Sequence, residues 1–420
     1  MSQPTLAGAL QPAWTQHLST EYFVNSVAIS DDGSRVVAGT FYHDYSQGLS
    51  ASPSAPDARA PGQHPEAPPP APSGISPNGI FGIYCYDGSG NLLWSDPEEM
   101  FEGVYWVAIS GNGAVAAAAG WYSDSPNSTS AVQGLLKIYD AVNGAVLLNY
   151  TAIMARVNAV ALSEDGSVAV AIAGSTIYVF SQQNGVYNPT PATVVLPSGT
   201  PQAIAVNPSG QWLAACDNQG RVYLILNSGQ TLSTYQWQIP GSDPPTIHSV
   251  AIAGGSNYFV AGATNGNVYV FDLASMMSSP AAPVAHLTVS ANVSIRWVAC
   301  SGNAGLITAV YNFQSAGMLA ALSFDGQNLT NLWQAKLNQM PNSTSVDALG
   351  QYVTAADGYE GAGDFYLFTG ASGQSMGYFQ TSAMCWPMFL SADGSAVAAG
   401  SDDGSVYYFS TGTRGSTLGG

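Results

Sequence analysis

Eight residues occupy one equivalent place in eight similar stretches of the chain: Asn25, Tyr105, Asn158, Gln202, His248, Arg296, Asn342 and Trp386. Each stands just before a short apolar core of the SVAIS type, as in VNSVAIS (24–30), VYWVAIS (104–110) and IHSVAIA (247–253). A generic core would place Val or Ala there, yet seven of these residues carry a hydrogen-bonding group or a charge and the eighth is tryptophan. Arg296 is the only cation of the set. With His248 one unit earlier, it could hold a carboxylate or phosphate through charge-assisted bonds. The same residue types also have a plainer use, satisfying strand ends and water.

A second set combines aromatics with acids in four long connections: FYHDYSQG (41–48), WYSDSPNSTSAVQG (121–134), YNFQSAG (311–317) and DGYEGAGD (357–364). Aromatic faces among hydroxyls and amides suit a sugar or a protein partner, because they bury area with little ordering cost. The residues singled out are Tyr42, His43, Asp44, Trp121, Tyr122, Tyr311, Tyr359 and Glu360. Tyr and Asp are also ordinary loop formers. An acid such as Asp357, Glu360 or Asp364 could bind Ca²⁺, although the spacing matches no standard loop.

Motifs for covalent or metal chemistry are missing. There is no GxSxG elbow, no HExxH and no standard phosphate loop, and the five histidines are not spaced as a metal set. Asp31-Asp32, Glu164-Asp165 and Asp402-Asp403 look like paired carboxylates but adjoin Gly in turns, where Asp caps the turn through its backbone. Cys85, Cys216, Cys300 and Cys385 show no CxxC spacing and read as buried free thiols. No catalytic residue, metal site or cofactor is assigned.

The elements that must position these residues are repeats. An apolar segment, a Gly-containing turn and a second apolar segment recur eight times, beginning with VNSVAISDDGSRVVAGT (24–40) and ending with CWPMFLSADGSAVAAG (385–400). Each pair is followed by a third strand such as TIYVFS (176–181) or SVYYFS (405–410), and usually by a fourth such as NGAVLLNY (143–150). Four antiparallel strands per unit, with turn signals at each corner and almost no helical periodicity, specify the blade of a β-propeller. The innermost strands line a central channel, so the eight equivalent residues are expected to ring one of its mouths.

The last unit stops after its third strand, and AWTQHL (13–18) at the chain start matches the fourth strands LWSDP (93–97) and LWQAKL (332–337). A ring closed by that segment removes two sheet edges. The expectation is therefore one all-β domain over 1–420, an eight-bladed propeller of four-stranded antiparallel blades whose last blade is completed by the N-terminal strand. Residues 46–77, rich in Pro and Ala, have nothing to bury and read as a flexible insertion within blade 1.

The units GNLLWSDP, LLKIYDAVNGAVLL and SVAISDDGSRVVAG resemble the repeats of WD-repeat-like and pyrroloquinoline-quinone-like β-propellers, over nearly the whole chain outside that insertion. Eight units and the fourth-strand tryptophans are similar to the quinone-type group, while the Asp-Gly turns are shared. The Trp-Asp dipeptide and Gly-His pair of WD repeats are missing, as is the adjacent cysteine pair of many quinone-using alcohol dehydrogenases. The resemblance implies an architecture and no particular activity.

Composition narrows the partners. Net charge is −18, with only 8 Lys and Arg scattered along the chain, so no cluster can neutralise several phosphates of a nucleic acid. No apolar run nears the roughly 20 residues that span a bilayer, and MSQPTLAGALQPAW has neither the basic start nor the apolar core of a signal peptide. Compartment is left open. Free thiols favour the cell interior, whereas scarce lysine and five Asn-x-Ser/Thr triplets suit an exported or acid-exposed protein. The reading taken forward is a non-catalytic platform for a protein or glycan on the face with the long connections of blades 1, 2, 6 and 7. Its alternative is an enzyme or small-molecule binder using the polar ring, and oligomeric state is open.

Overall fold

The computed structural model describes residues 8–18, 22–41, 80–99, 103–123, 131–314, 316–359 and 362–412. The 46–77 insertion lies outside them. Eight four-stranded antiparallel units follow one another. Blade 1 runs through Phe23–Ile29, Arg35–Phe41, Ile80–Asp87 and Leu92–Glu99, and a single bridge from Phe41 to Gly103 joins it to blade 2. The innermost strands of blades 2 to 8 are Gly103–Ile109, Val157–Leu162, Pro201–Val206, Ile247–Ile252, Ile295–Cys300, Pro341–Val346 and Cys385–Leu390. Each contacts the next, and the last contacts the first, so the ring is closed.

Blade 8 has three strands of its own, Cys385–Leu390, Ala396–Ser401 and Ser405–Ser410, and its outer strand is Trp14–His17. The register sets Trp14 opposite Tyr408 and His17 opposite Ser405. The chain start goes further than the expected seal: Leu10 donates its backbone N–H to Tyr378 in the outer strand of blade 7 (2.9 Å), tying two blades together.

Burial explains the composition of each strand. Second strands such as Val168–Ala173 and Ala396–Ser401 are buried along their whole length. They lie between neighbouring blades with both faces covered, so they read as unbroken Val and Ala runs rather than strict alternation. Fourth strands such as Ala285–Thr288 alternate between half-buried and exposed.

The turn between first and second strands is the same device repeated. Ser30 donates to Asp32 (2.8 Å) and accepts from the Arg35 N–H (3.0 Å), while Asp32 accepts from the Ser34 N–H (2.9 Å). Ser110, Ser163, Ser301 and Ser391 make the equivalent bonds in their own turns. These turns also hold hands around the ring. Asp31 donates its backbone N–H to Gly111 O, Asn112 to Glu164 O, Glu164 to Pro208 O, Gly255 to Gly302 O, Gly302 to Ala348 O, Ala348 to Ala392 O and Asp393 to Asp31 O. Only the junction of blades 4 and 5 shows no such bond among the described residues.

Two details depart from the plain four-strand pattern. Blade 3 adds the short strand Val186–Tyr187, and blade 5 carries one helical turn, Leu273–Met277, in place of the turn before its outer strand. Asp272 caps that turn by accepting the Ser275 N–H (2.5 Å), and five residues are too few to leave a helical period in the sequence.

Candidate functional site

Each of the eight residues aligned from the sequence sits at a break in strand register. Pairing of first and second strands slips between Val24 and Ser26, Val104 and Trp106, Val157 and Ala159, Pro201 and Ala203, Ile247 and Ser249, Ile295 and Trp297, Pro341 and Ser343, and Cys385 and Met388. These are β-bulges, and a bulge re-aims the extra residue out of the pleat. The local pattern V-N-S-V therefore marks a bend in the backbone as well as a polar side chain.

Most of these side chains are buried between blades. Asn25 donates to the backbone carbonyl of Tyr105 (2.9 Å), and Asn342 does the same to Cys385 (2.7 Å). The Gln202 amide bonds back to Thr200 O (3.1 Å). The Trp386 indole N–H bonds to Asp402, a carboxyl that burial pushes well above its usual range. Asn158, His248 and Arg296 are half-buried, and Tyr105 packs against Phe41 and Trp121 with centroids 5.3 and 5.1 Å away. Asn25 and Asn342 are thus spent on joining blades, whereas Gln202 and Trp386 bond within their own.

The residue after the bulge makes a second weld that the sequence reading passed over. Ser26, Ser249 and Ser343 accept backbone N–H bonds from Val107, Val298 and Met388 of the following blade (2.9, 3.1 and 3.2 Å). A third weld lies at the rim. The indole N–H of Trp14, Trp94 and Trp333 donates to Gly88, Ala141 and Gly370 of the next blade (3.1, 2.9 and 2.7 Å). The three tryptophans matched in sequence are thus one repeated joint.

The channel itself is lined from the next positions onward. Three residues past each bulge stand Ala28, Ala108, Ala161, Ala205, Ala251, Ala299, Ser345 and Phe389. Small side chains keep the bore open except where Phe389 intrudes. One residue past the bulge, Trp106 of blade 2 and Trp297 of blade 6 replace the usual Ser or Ala, and they meet across the bore with centroids 5.9 Å apart. Phe389 joins them at 5.8 Å from Trp297. Lone aromatics at registers filled mostly by Ala and Ser were the missed signal.

The long connections differ from blade to blade. Tyr42, His43, Asp44 and Glu360 lie outside the described residues, and of Tyr359 only the strand position is described. In blades 6 and 7 the connections are prolonged hairpins, Leu306–Phe313 with Ala316–Phe324 and Tyr352–Tyr359 with Ala362–Thr369. That prolongation carries Tyr311 into the core, 2% exposed, and Trp121 is likewise buried, 3% exposed, under the Arg156 guanidinium at 4.5 Å. Neither is the exposed contact expected of it. Tyr122 is half-buried and donates to Glu98 (3.0 Å). Phe313, 44% exposed, is the aromatic the hairpin presents instead.

Asp357 and Asp364 face each other in register rather than projecting as loop ligands. Tyr366 donates to Asp357 (2.7 Å) and the Asn338 amide to Asp364 (3.0 Å). Burial raises both carboxyls, Asp357 to about 7. Among the described residues no group of three or more His, Cys, Asp or Glu could hold a metal ion. Asp32, Asp165 and Asp403 each accept a backbone N–H two residues on (2.9, 2.8 and 2.9 Å), the turn-capping role.

Among solved structures, Sqt1 of Chaetomium thermophilum is 13% identical, with 95% of this chain and 99% of that one covered at a TM-score of 0.66. The fold is that of a WD-repeat-like β-propeller. Sqt1 of Saccharomyces cerevisiae superposes with a TM-score of 0.65 at 12% identity, covering 98% of this propeller and 99% of its own chain. The Cps50 (Swd1) β-propeller domain of Myceliophteria thermophila gives 0.55 at 14%, covering 73% and 96%. No protein-family model and no curated protein sequence matches this propeller.

Proposed function

We propose that this propeller is a non-catalytic interaction platform that takes a protein partner, or a glycan, on the face bearing the long connections of blades 1, 2, 6 and 7. The observation that carries the reading is the prolonged blade 6 hairpin. It presents Phe313 beside a recess of about 400 Å³ lined by Val289, Tyr311, Met318, Gln334 and Lys336, an apolar floor with amides and one cation at its edge. Exposed aromatic anchors beside such recesses are where binding energy concentrates. A Chaetomium thermophilum Sqt1 structure holds the N-terminus of ribosomal protein L10, and this supports a protein partner for a propeller of similar shape. Capture from the native source with the intact chain tests it, comparing Phe313→Ala with Leu349→Ala, a residue 74% exposed on the opposite face. Loss with Phe313→Ala alone is the expected result. Equal capture by both variants overturns the choice of face.

A second reading, an enzyme or small-molecule binder at the polar ring, has one observation in its favour. Asn25 Oδ1, Gln202 Oε1 and Asn342 Oδ1 are buried with no hydrogen-bond donor among the described residues. Calorimetry with inorganic phosphate and succinate, repeated on Arg296→Gln, tests it, and absence of heat in both proteins retires it. A closer kinship with quinone-type propellers rests on the eight blades and the tryptophan joints, and concerns architecture alone.

A further inference from the structure

We infer that the central channel is a binding site for a small, uncharged, planar aromatic molecule, held against the Trp106–Trp297–Phe389 cluster. The cavity measures about 350 Å³ and draws its walls from the innermost strands of blades 2 to 8. That is the lower end of the roughly 300–1,000 Å³ range of small-molecule sites, enough for a fused-ring ligand.

Three observations choose the ligand class. Among the described residues no Asp, Glu, Lys, Arg or His lines the cavity, although the chain as a whole carries a charge of −18. The hydroxyls that do line it are already engaged: Ser249 accepts from the Val298 N–H (3.1 Å), Ser345 from the Leu390 N–H (2.9 Å), and Thr344 donates to Thr354 O (2.8 Å). A ligand demanding strong hydrogen bonds or an ion pair would lose its hydration without replacement. The remaining wall is apolar and includes Val206, Ile252, Ala299, Cys300 and the aromatic trio, whose tilted rings, 35° between Trp106 and Trp297 and 48° between Trp297 and Phe389, offer faces and edges to a further ring.

The aromatics also explain why the cavity is bounded. Trp106 and Trp297 come from opposite blades and bridge the bore, so a channel otherwise floored by alanine is interrupted at one level. A position three residues past the bulge holds Ala or Ser in seven blades and Phe389 in the eighth.

The test uses the full chain and the neutral fluorophore N-phenyl-1-naphthylamine. Saturable one-to-one binding is expected, with quenching of tryptophan emission that falls at least twofold in Trp106→Phe and in Trp297→Phe. Ala299→Phe, which fills the bore, should weaken binding tenfold or more while far-UV circular dichroism is unchanged. Unsaturable binding, or binding unaltered in all three variants, overturns the inference and places the dye elsewhere on the surface. Should Ala299→Phe fail to fold, the quenching difference between wild type and the two Trp→Phe variants still decides the matter.

Discussion

Trp14 stacks on Tyr408 with ring centroids 5.0 Å apart and planes inclined by 9°, so the beginning and the end of the chain meet face to face in blade 8. The same indole donates to Gly88 in blade 1, so one side chain joins the outer strand to its own sheet and to the next. Trp14→Ala is expected to lower stability by about 2–3 kcal/mol, less than the ~3–5 for a fully buried tryptophan because Trp14 is half-buried. Urea denaturation measures it. Removing residues 8–17 exposes the Ser405–Ser410 edge, and self-association in light scattering is the expected consequence.

The serine weld can be tested where it bridges blades 5 and 6. Ser249→Ala leaves the buried Val298 N–H without its acceptor, a loss of about 1–3 kcal/mol. Ser228 lies in an exposed turn with its own backbone bond to Thr231, so Ser228→Ala should change the urea midpoint little.

Gly373 and Gly229 separate backbone strain from contact. Both lie at positive φ, 67° and 82°, but a Cβ at Gly373 would come 2.4 Å from the Trp333 ring whereas one at Gly229 meets nothing within 4 Å. Gly229→Ala should cost only the left-handed conformation, about 1–2 kcal/mol. Gly373→Ala should cost clearly more, since Trp333 must leave its joint, and the difference between the two thermal midpoints reads the value of that joint.

Stability should fall as pH rises between about 4 and 7. Burial pushes Asp357 up to about 7 from its ordinary 3.8, with Asp364 adding to the rise and the Tyr366 hydroxyl and Gln339 N–H opposing it. Asp364 is raised too, chiefly by burial. In that window the folded chain keeps a proton that the unfolded chain has released, so raising pH favours unfolding and the stabilisation is complete only below the ordinary carboxyl range. Asp357→Asn should flatten the pH dependence of the urea midpoint, and an unchanged slope would contradict the assignment.

The thiols should be inert in the native protein. Burial raises Cys85 and Cys300 to about 12 and holds Cys216 and Cys385 well above the ordinary thiol range; all four are unpaired, and Cys300, half-buried, faces the channel. At pH 8 an aromatic disulfide reagent should titrate none of them within minutes, and four after unfolding in guanidinium.

The architecture was legible because it is written in local terms. Apolar strands, Ser-x-Asp-Gly turns in three blades and a matching Trp at three outer strands are decided by a few neighbouring residues, and eightfold repetition of the strand pair removes the ambiguity of any single copy. Even the bulge residues could be aligned, since each precedes the same apolar core. What those residues do was decided only by closure of the ring. Whether Asn342 faces a ligand or the Cys385 carbonyl depends on a blade 43 residues further on. Whether Trp106 lines a wall or meets Trp297 depends on the blade opposite. Likewise Tyr311 and Asp357 read as loop residues until the hairpins lengthen and bury them. A strand's pattern records which faces are covered, and only the packed circle of blades determines what covers them.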